Sequence, residues 1–110
     1  MTSKKRAFII NVLRRASFTW WSRTAALKKA RVKRGIYRCN ICKYEGPLKD
    51  FEMDHVIPVI GKEGFTTFDE FIERLFPDSP NGWQLLCKPC HTDKTNKENE
   101  ERRDYQRKKK

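Results

Sequence analysis

Several common features are absent from this 110-residue sequence, and each absence excludes a class of protein. The sequence has no apolar run of the roughly 20 residues that a membrane-spanning helix needs. A short apolar run at 7–13 leads into Arg14 and Arg15 instead of a small-residue cleavage site, which argues against a secretory signal peptide. We therefore expect no membrane partner and a cytoplasmic location.

Acidic residues are absent from the first 44 positions, which hold 13 lysines and arginines. The later positions carry 12 basic and 14 acidic residues, so all of the excess positive charge behind the net charge of +11 lies in the first 44 positions. Such a block is typical of a surface that binds a polyanion, usually nucleic acid. A solvated basic face or a membrane-surface helix is the alternative. The candidate DNA contacts in this block are Arg14, Arg15, Lys28, Lys29, Arg31, Lys33 and Arg34.

The chain is short and polar, with 37% hydrophobic and 35% charged residues. It therefore buries a limited core, and a bound metal would be a useful supplement. We expect an α+β protein in three parts: a basic helical arm at 1–35, a core at 36–96, and a charged helix or tail at 97–110.

Hydrophobic periodicity predicts the main elements. We expect an amphipathic helix at 8–16, with a second helix reaching about Val32 and stopped by Gly35. Trp21 is expected in the core, although Trp20 and Trp21 could instead stack on bases. Strands are predicted at 36–38, 51–57 and 83–86. Thr67 is expected to cap a helix at 68–76, and the chain from His91 onward is expected to be helical.

No cysteine is left over from two C-x-x-C pairs, Cys39 with Cys42 and Cys87 with Cys90, which have 44 residues between them. In a chain without a secretory signal, this pattern favours thiolate metal ligands over disulfides. Four thiolates make a tetrahedral site that zinc fills without redox chemistry. An iron–sulfur centre or a redox pair is the alternative. We expect a structural Zn²⁺.

Only two histidines occur, and both stand beside other candidate ligands. Asp54 precedes His55 near the end of a predicted strand, and His91 follows the last cysteine. Asp54 and His91 could supply a carboxylate oxygen and an imidazole nitrogen to Mg²⁺ or Mn²⁺, while His55 remains free to act as a base. Neighbouring residues on a regular strand point to opposite faces, so this requires the strand to end or distort at His55.

Histidines with purely structural roles are the alternative explanation, and His91 could also be a zinc ligand. Lys94 lies three residues after His91 and therefore shares its helix face. Lys94 is either a further phosphate contact or an ordinary exposed lysine.

These motifs together resemble the zinc-containing HNH endonucleases, many of which come from bacteriophages. The similarity covers about 37–95, with the motif Asp54-His55-Val56-x-Pro58 between the cysteine pairs and Lys94-Thr95 after His91. It implies a ββα-metal (His-Me finger) core around one divalent cation. It also implies that His55 is the general base, that Asp54 and His91 bind the catalytic cation, and that the four cysteines bind zinc.

This sequence departs from the family's pattern at the central asparagine. The family has Asn two residues before the motif's Gln, whereas here Gly82 stands two residues before Gln84 and Asn81 comes one residue earlier. In the family this Asn holds the loop that orients the base. The resemblance therefore assigns that role to Asn81 from a shifted position, or to Gln84.

The resemblance implies a hydrolase that cuts DNA phosphodiester bonds and leaves 5′-phosphate and 3′-hydroxyl ends. It further implies a nicking-type phage nuclease, a monomer or homodimer in the host cytoplasm, with phage packaging proteins as possible partners. A non-catalytic zinc-ribbon module that binds DNA and a structure-specific resolvase of branched DNA are the competing hypotheses.

Overall fold

The computed structural model describes residues 1–109. Over this range the chain forms four α-helices and two small antiparallel sheets, which confirms the α+β class. In chain order the elements are α1 (Ser3–Ser17), α2 (Trp21–Ala30), β1 (Arg31–Lys33), β2 (Ile36–Arg38), β3 (Glu45–Gly46), β4 (Phe51–His55), α3 (Phe68–Leu75), β5 (Trp83–Cys87) and α4 (Lys88–Lys109).

The first sheet shows that the predicted second helix is too long. That helix ends at Ala30, and Arg31–Lys33 instead forms β1, which pairs antiparallel with β2. Gly35 has a φ of +79°, a value that suits glycine because it has no Cβ, and it lies in the turn of this hairpin rather than at a helix end. β3 completes the sheet by pairing with β2.

The second sheet pairs β4 with β5 in antiparallel register, from Phe51 opposite Cys87 to His55 opposite Trp83. β4 ends at His55, two residues before the predicted end of the strand. The connection between the two strands carries α3. The Thr67 hydroxyl accepts a hydrogen bond from the Glu70 N–H at the start of that helix, as the sequence predicts.

α2 packs against the second sheet and therefore belongs to the same packed body as the predicted core. The indole N–H of Trp83 donates to Ser22 Oγ at 2.8 Å, and Ser22 Oγ donates to the Pro77 carbonyl at 2.6 Å. The indole N–H of Trp20 donates to the same carbonyl at 2.7 Å. Trp21 is 51% exposed, so the expectation that it lies in the core is wrong, and Trp20 is the more buried of the two.

The buried core is small and lies where the sheets and helices meet. It consists of a cluster whose members are Cys39, Phe51, Leu85, Leu86 and Cys87. α1 contributes little to it, because Phe8 on its predicted apolar face is 68% exposed. α1 instead contacts α3, where the Arg14 guanidinium lies 5.8 Å from the Phe71 ring centre. No helix within the described range is long and apolar enough to cross a lipid bilayer.

Candidate metal centre and active site

The structure gathers all four cysteines into one cluster. Their sulfurs lie within 4.8 Å of one another, and Cys42 Sγ is 3.5 Å from Cys87 Sγ. In a tetrahedral site with Zn–S bonds of about 2.3 Å, sulfurs are separated by about 3.8 Å. The donor set and its spacing therefore fit a zinc ion.

Backbone geometry builds each half of the cluster. In the first half, the Cys39 N–H donates to the Tyr44 carbonyl at 2.8 Å, and the Lys43 N–H donates back to the Cys39 carbonyl at 3.1 Å. Lys43 has a φ of +68°, which closes this tight turn. In the second half, Cys87 ends β5 and Cys90 lies in the first turn of α4. A metal ion here would tie the first sheet, β5 and α4 together.

The thiols of the cluster differ in acidity. Burial raises the pKa of Cys39, but N–H groups of Cys87, Cys42 and Ile41 outweigh it and lower the pKa to about 6. The Cys87 thiol beside Cys90, together with burial, raises the pKa of Cys90 to about 12. Four crowded thiols do not all ionise at neutral pH without a cation, whereas a bound metal deprotonates its thiol ligands. This chemistry supports the assignment of a metal site.

Asp54 links β4 to α4. One carboxylate oxygen, Oδ1, accepts a hydrogen bond from the His55 N–H at 2.9 Å. The other, Oδ2, lies 2.9 Å from Lys94 Nζ, and Lys94 also pairs with Glu98 one turn along the helix. Burial lowers the pKa of Lys94, but the hydrogen bonds to Asp54 and Glu98 raise it by more, so the net shift is upward. Lys94 is therefore a half-buried, paired lysine rather than an ordinary exposed one.

The side chain of His55 lies on the opposite face of the β4–β5 sheet from the side chain of Asp54. Its Nε2 lies 3.0 Å from the Leu75 carbonyl at the end of α3, and its ring centre lies 4.0 Å from that of Trp83. A carbonyl oxygen only accepts hydrogen bonds, so Nε2 carries the hydrogen and Nδ1 keeps a free lone pair in the neutral ring.

The electrostatic environment of His55 favours this neutral form. Burial lowers the pKa of His55, and the positive charges of Arg14 and Lys94 lower it further. The Leu75 carbonyl and the Asp54 carboxylate oppose these effects but do not outweigh them. In this neutral form His55 is available to accept a proton.

β4 ends at His55, which is one of the two conditions set for a shared site, but the strand is not distorted, because pairing stays regular up to the pair of His55 with Trp83. Asp54 and His55 consequently approach different helices. They meet only at the last pair of β4, where the backbone hydrogen bond joins them.

His91 lies on α4 directly after Cys90 and is half-buried. It stands one turn before Lys94, whose ammonium reaches Asp54, so His91 shares the helix face that meets the Asp54 carboxylate. Among the residues described, the cluster of close metal-ligating groups contains cysteines alone, and His91 does not join it.

The side chain of Asn81 is hydrogen-bonded to α2 and not to His55. Its side-chain oxygen accepts a hydrogen bond from Lys29 Nζ at 3.2 Å. The loop after His55 is held instead by a backbone contact, in which the Val56 N–H donates to the Gly82 carbonyl at 2.9 Å. A Cβ on Gly82 would lie 2.4 Å from Pro77 Cβ, which explains why no asparagine occupies that position.

The other predicted DNA contacts are exposed, and they spread over several elements. Arg14 and Arg15 lie in the last turn of α1, Lys28 and Lys29 in the last turn of α2, and the remainder on β1 and its turn. Arg38 and Lys43 are further exposed basic residues of the same acid-free block. Arg38 directly precedes Cys39, and Lys43 directly follows Cys42.

The fold and the cluster together define a mixed α+β protein with a four-cysteine centre that could hold a metal such as zinc. No protein-family model, curated protein sequence or solved structure matches the chain. Any assignment beyond this class therefore rests on the chain's own residues.

Proposed function

We propose that the chain is a metal-dependent DNA endonuclease of the HNH type, in which β4, β5 and α4 form the ββα-metal core. The main support is the contact between Asp54 and Lys94. It brings the carboxylate beside His55 onto the face of α4 that also carries His91. The cysteine cluster at the start of α4 supports the second part of the proposal, a structural Zn²⁺ that fixes this helix against the sheet.

In the proposed reaction His55 acts as the general base. Its Nδ1 takes a proton from a water molecule, while the Leu75 carbonyl holds Nε2–H and the Trp83 ring fixes the plane of the imidazole. Asp54 and His91 would hold Mg²⁺ or Mn²⁺, which supplies charge stabilisation at the phosphate and at the leaving oxygen. The Asp54 carboxylate accepts a hydrogen bond from the backbone N–H of His55, which holds the carboxylate beside the backbone of the proposed base.

DNA is the proposed substrate because the first 44 residues carry 13 basic and no acidic residues. The positive charge of Arg14 lowers the pKa of His55, and a guanidinium is well suited to contact a phosphate. The proposal includes 5′-phosphate products, action as a monomer or homodimer in the cytoplasm, and phage packaging proteins as further partners.

A plasmid assay tests the enzyme proposal directly. Supercoiled plasmid is incubated with the protein and Mg²⁺ or Mn²⁺, and nicked circles are quantified for the wild type and for His55→Ala. We expect metal-dependent nicking that falls about 100-fold or more in the variant, because general bases contribute roughly that much. Equal circular dichroism spectra and zinc content would show that the variant is folded. Nicking that persists unchanged in folded His55→Ala would refute the assignment of the base.

A non-catalytic zinc-ribbon module that binds DNA is the second candidate. The regular pairing through His55 favours it, because this pairing points Asp54 and His55 toward different helices. The module predicts that the wild type binds plasmid without nicking it at any metal concentration. A resolvase would instead cut cruciform DNA in preference to linear duplex.

A further inference from the structure

A groove runs between α2 and the first cysteine turn, outside the proposed active site. It consists of two adjoining depressions of about 260 Å³ and 320 Å³ that share Lys29, Ala30 and Asn40 on their walls. One end opens beside Val56 and Gln84, which follow His55 and pair with Asp54 respectively. We call this feature the α2–knuckle groove, the knuckle being the first cysteine turn. Its polar walls include Lys29, Arg31, Arg38, Asn40, Lys43 and Asn81.

The α2–knuckle groove is strongly positive. None of the described residues that line it is acidic. Lys29 Nζ donates to the Asn81 side-chain oxygen, and Lys43 Nζ donates to the Asn40 carbonyl at 2.9 Å. Both acceptors are neutral, so each ammonium keeps its full charge. Among the lining cations, Arg38 is neutralised in part, because it pairs with Glu45 on β3.

The walls of the groove are held in place by the fold. The Asn40 N–H donates to the Leu85 carbonyl at 2.9 Å, which joins the first cysteine turn to β5. Cys39 and its neighbour Asn40 therefore place the basic side chains of the turn at a fixed distance from the end of β4. A fixed row of cations suits a partner with regularly spaced negative charge.

We propose that the α2–knuckle groove holds the phosphate backbone of a DNA strand and leads it to the end of β4. This proposal deepens the proposed function and rests on it for the identity of the substrate. The cations and the Asn40 and Asn81 amides suit phosphate oxygens, and phosphate contacts position a strand without reading its sequence. Among the described wall residues the one aromatic side chain, Trp83, is buried, so the groove offers no surface on which bases could stack.

The test measures the salt dependence of DNA binding in full-length His55→Ala, which is not expected to cut. Fluorescence anisotropy with a short labelled duplex is recorded over a range of KCl concentrations. The groove variant carries Lys29→Gln and Lys43→Gln. Its matched control carries Lys49→Gln and Lys62→Gln, two exposed lysines outside the groove, and so loses the same charge. Circular dichroism and zinc content confirm that both are folded.

We expect the groove variant to reduce the slope of log affinity against log salt by about 2, since each lost phosphate contact removes about 0.9. Its affinity at low salt should fall about tenfold, and the control should keep both values. An equal effect of the two variants, or none in either, overturns the groove assignment. Tighter binding to an RNA duplex of the same sequence overturns the choice of DNA. Failure of the proposed function is seen separately, as an absence of plasmid nicking by the wild type.

Discussion

The Lys94 ammonium forms an ion pair with Oδ2 of Asp54. In the proposed enzyme Asp54 would hold the catalytic cation, so the Lys94 ammonium would compete with that cation for the carboxylate. The sequence alone places Lys94 on the helix face of His91, but it does not reveal this pairing, because the contact joins segments 40 positions apart.

Replacing Lys94 by Met should strengthen cation binding. A partly exposed ion pair contributes about 1 kcal/mol, so removing the competitor should raise Mn²⁺ affinity about fivefold. Isothermal titration of Mn²⁺ into the zinc-loaded protein measures this change. Lys97→Met, an exposed lysine on the same helix, is the matched control and should leave the affinity unchanged. Unchanged binding in Lys94→Met would mean that Asp54 does not hold the cation.

Residue-level prediction succeeded where spacing carries the information. The two C-x-x-C pairs predicted the thiol cluster, because four cysteines can bind one metal ion only if the fold brings them together. It was wrong for Trp21, since helical spacing does not distinguish which of two adjacent indoles meets a carbonyl acceptor such as that of Pro77. The roles of Asp54, His55 and His91 remain predictions.

At the scale of elements, local signals again decide what the sequence reveals. α3 has a capping Thr67 and two buried residues, Phe71 and Leu75, at helical spacing, so its position could be predicted. β1 has three residues and β3 has two, and few of their side chains are buried. Both are strands because they pair with β2. Pairing of this kind is non-local, and a short exposed strand carries little pattern of its own.

The turn before β5 provides a test at this scale. Gly82→Asn puts the family's residue at the family's position, but its Cβ would collide with Pro77. We expect a loss of about 1–3 kcal/mol in the free energy of unfolding, as for other overpacked sites. Urea unfolding of the zinc-loaded protein measures it. Asn81→Ala is the control and should stay within about 0.5 kcal/mol, because that side chain is exposed. Stability equal to the wild type would show that Pro77 moves aside freely.

At the scale of the whole molecule, a metal bound by the cysteine cluster would supplement a small core. Within residues 1–109 only nine hydrophobic residues, two of them cluster cysteines, are buried. Cys39 and Cys87 belong to the main group of these residues, Cys90 packs against it, and the four cysteines come from the turn after β2, from β5 and from α4. Metal binding and folding should therefore be strongly coupled.

Removing zinc should unfold most of the chain. Treatment with a strong chelator is expected to abolish the near-ultraviolet dichroism of the tryptophans and the cooperative urea transition, and added zinc should restore both. A Cys42→Ser variant should behave like the chelated protein without any chelator. If the metal-free protein unfolds at the same urea concentration as the zinc-loaded one, the cluster contributes nothing to the stability of the fold.

Two cluster cysteines are each followed directly by a residue with a separate proposed role. Asn40 follows Cys39 and lines the groove, whereas His91 follows Cys90 and lies on the helix face that meets Asp54. In the proposed enzyme, a metal bound by the four sulfurs would therefore set the distance between the groove and the cutting site. Oxidation of the cysteines would then be expected to abolish DNA binding and DNA cleavage together.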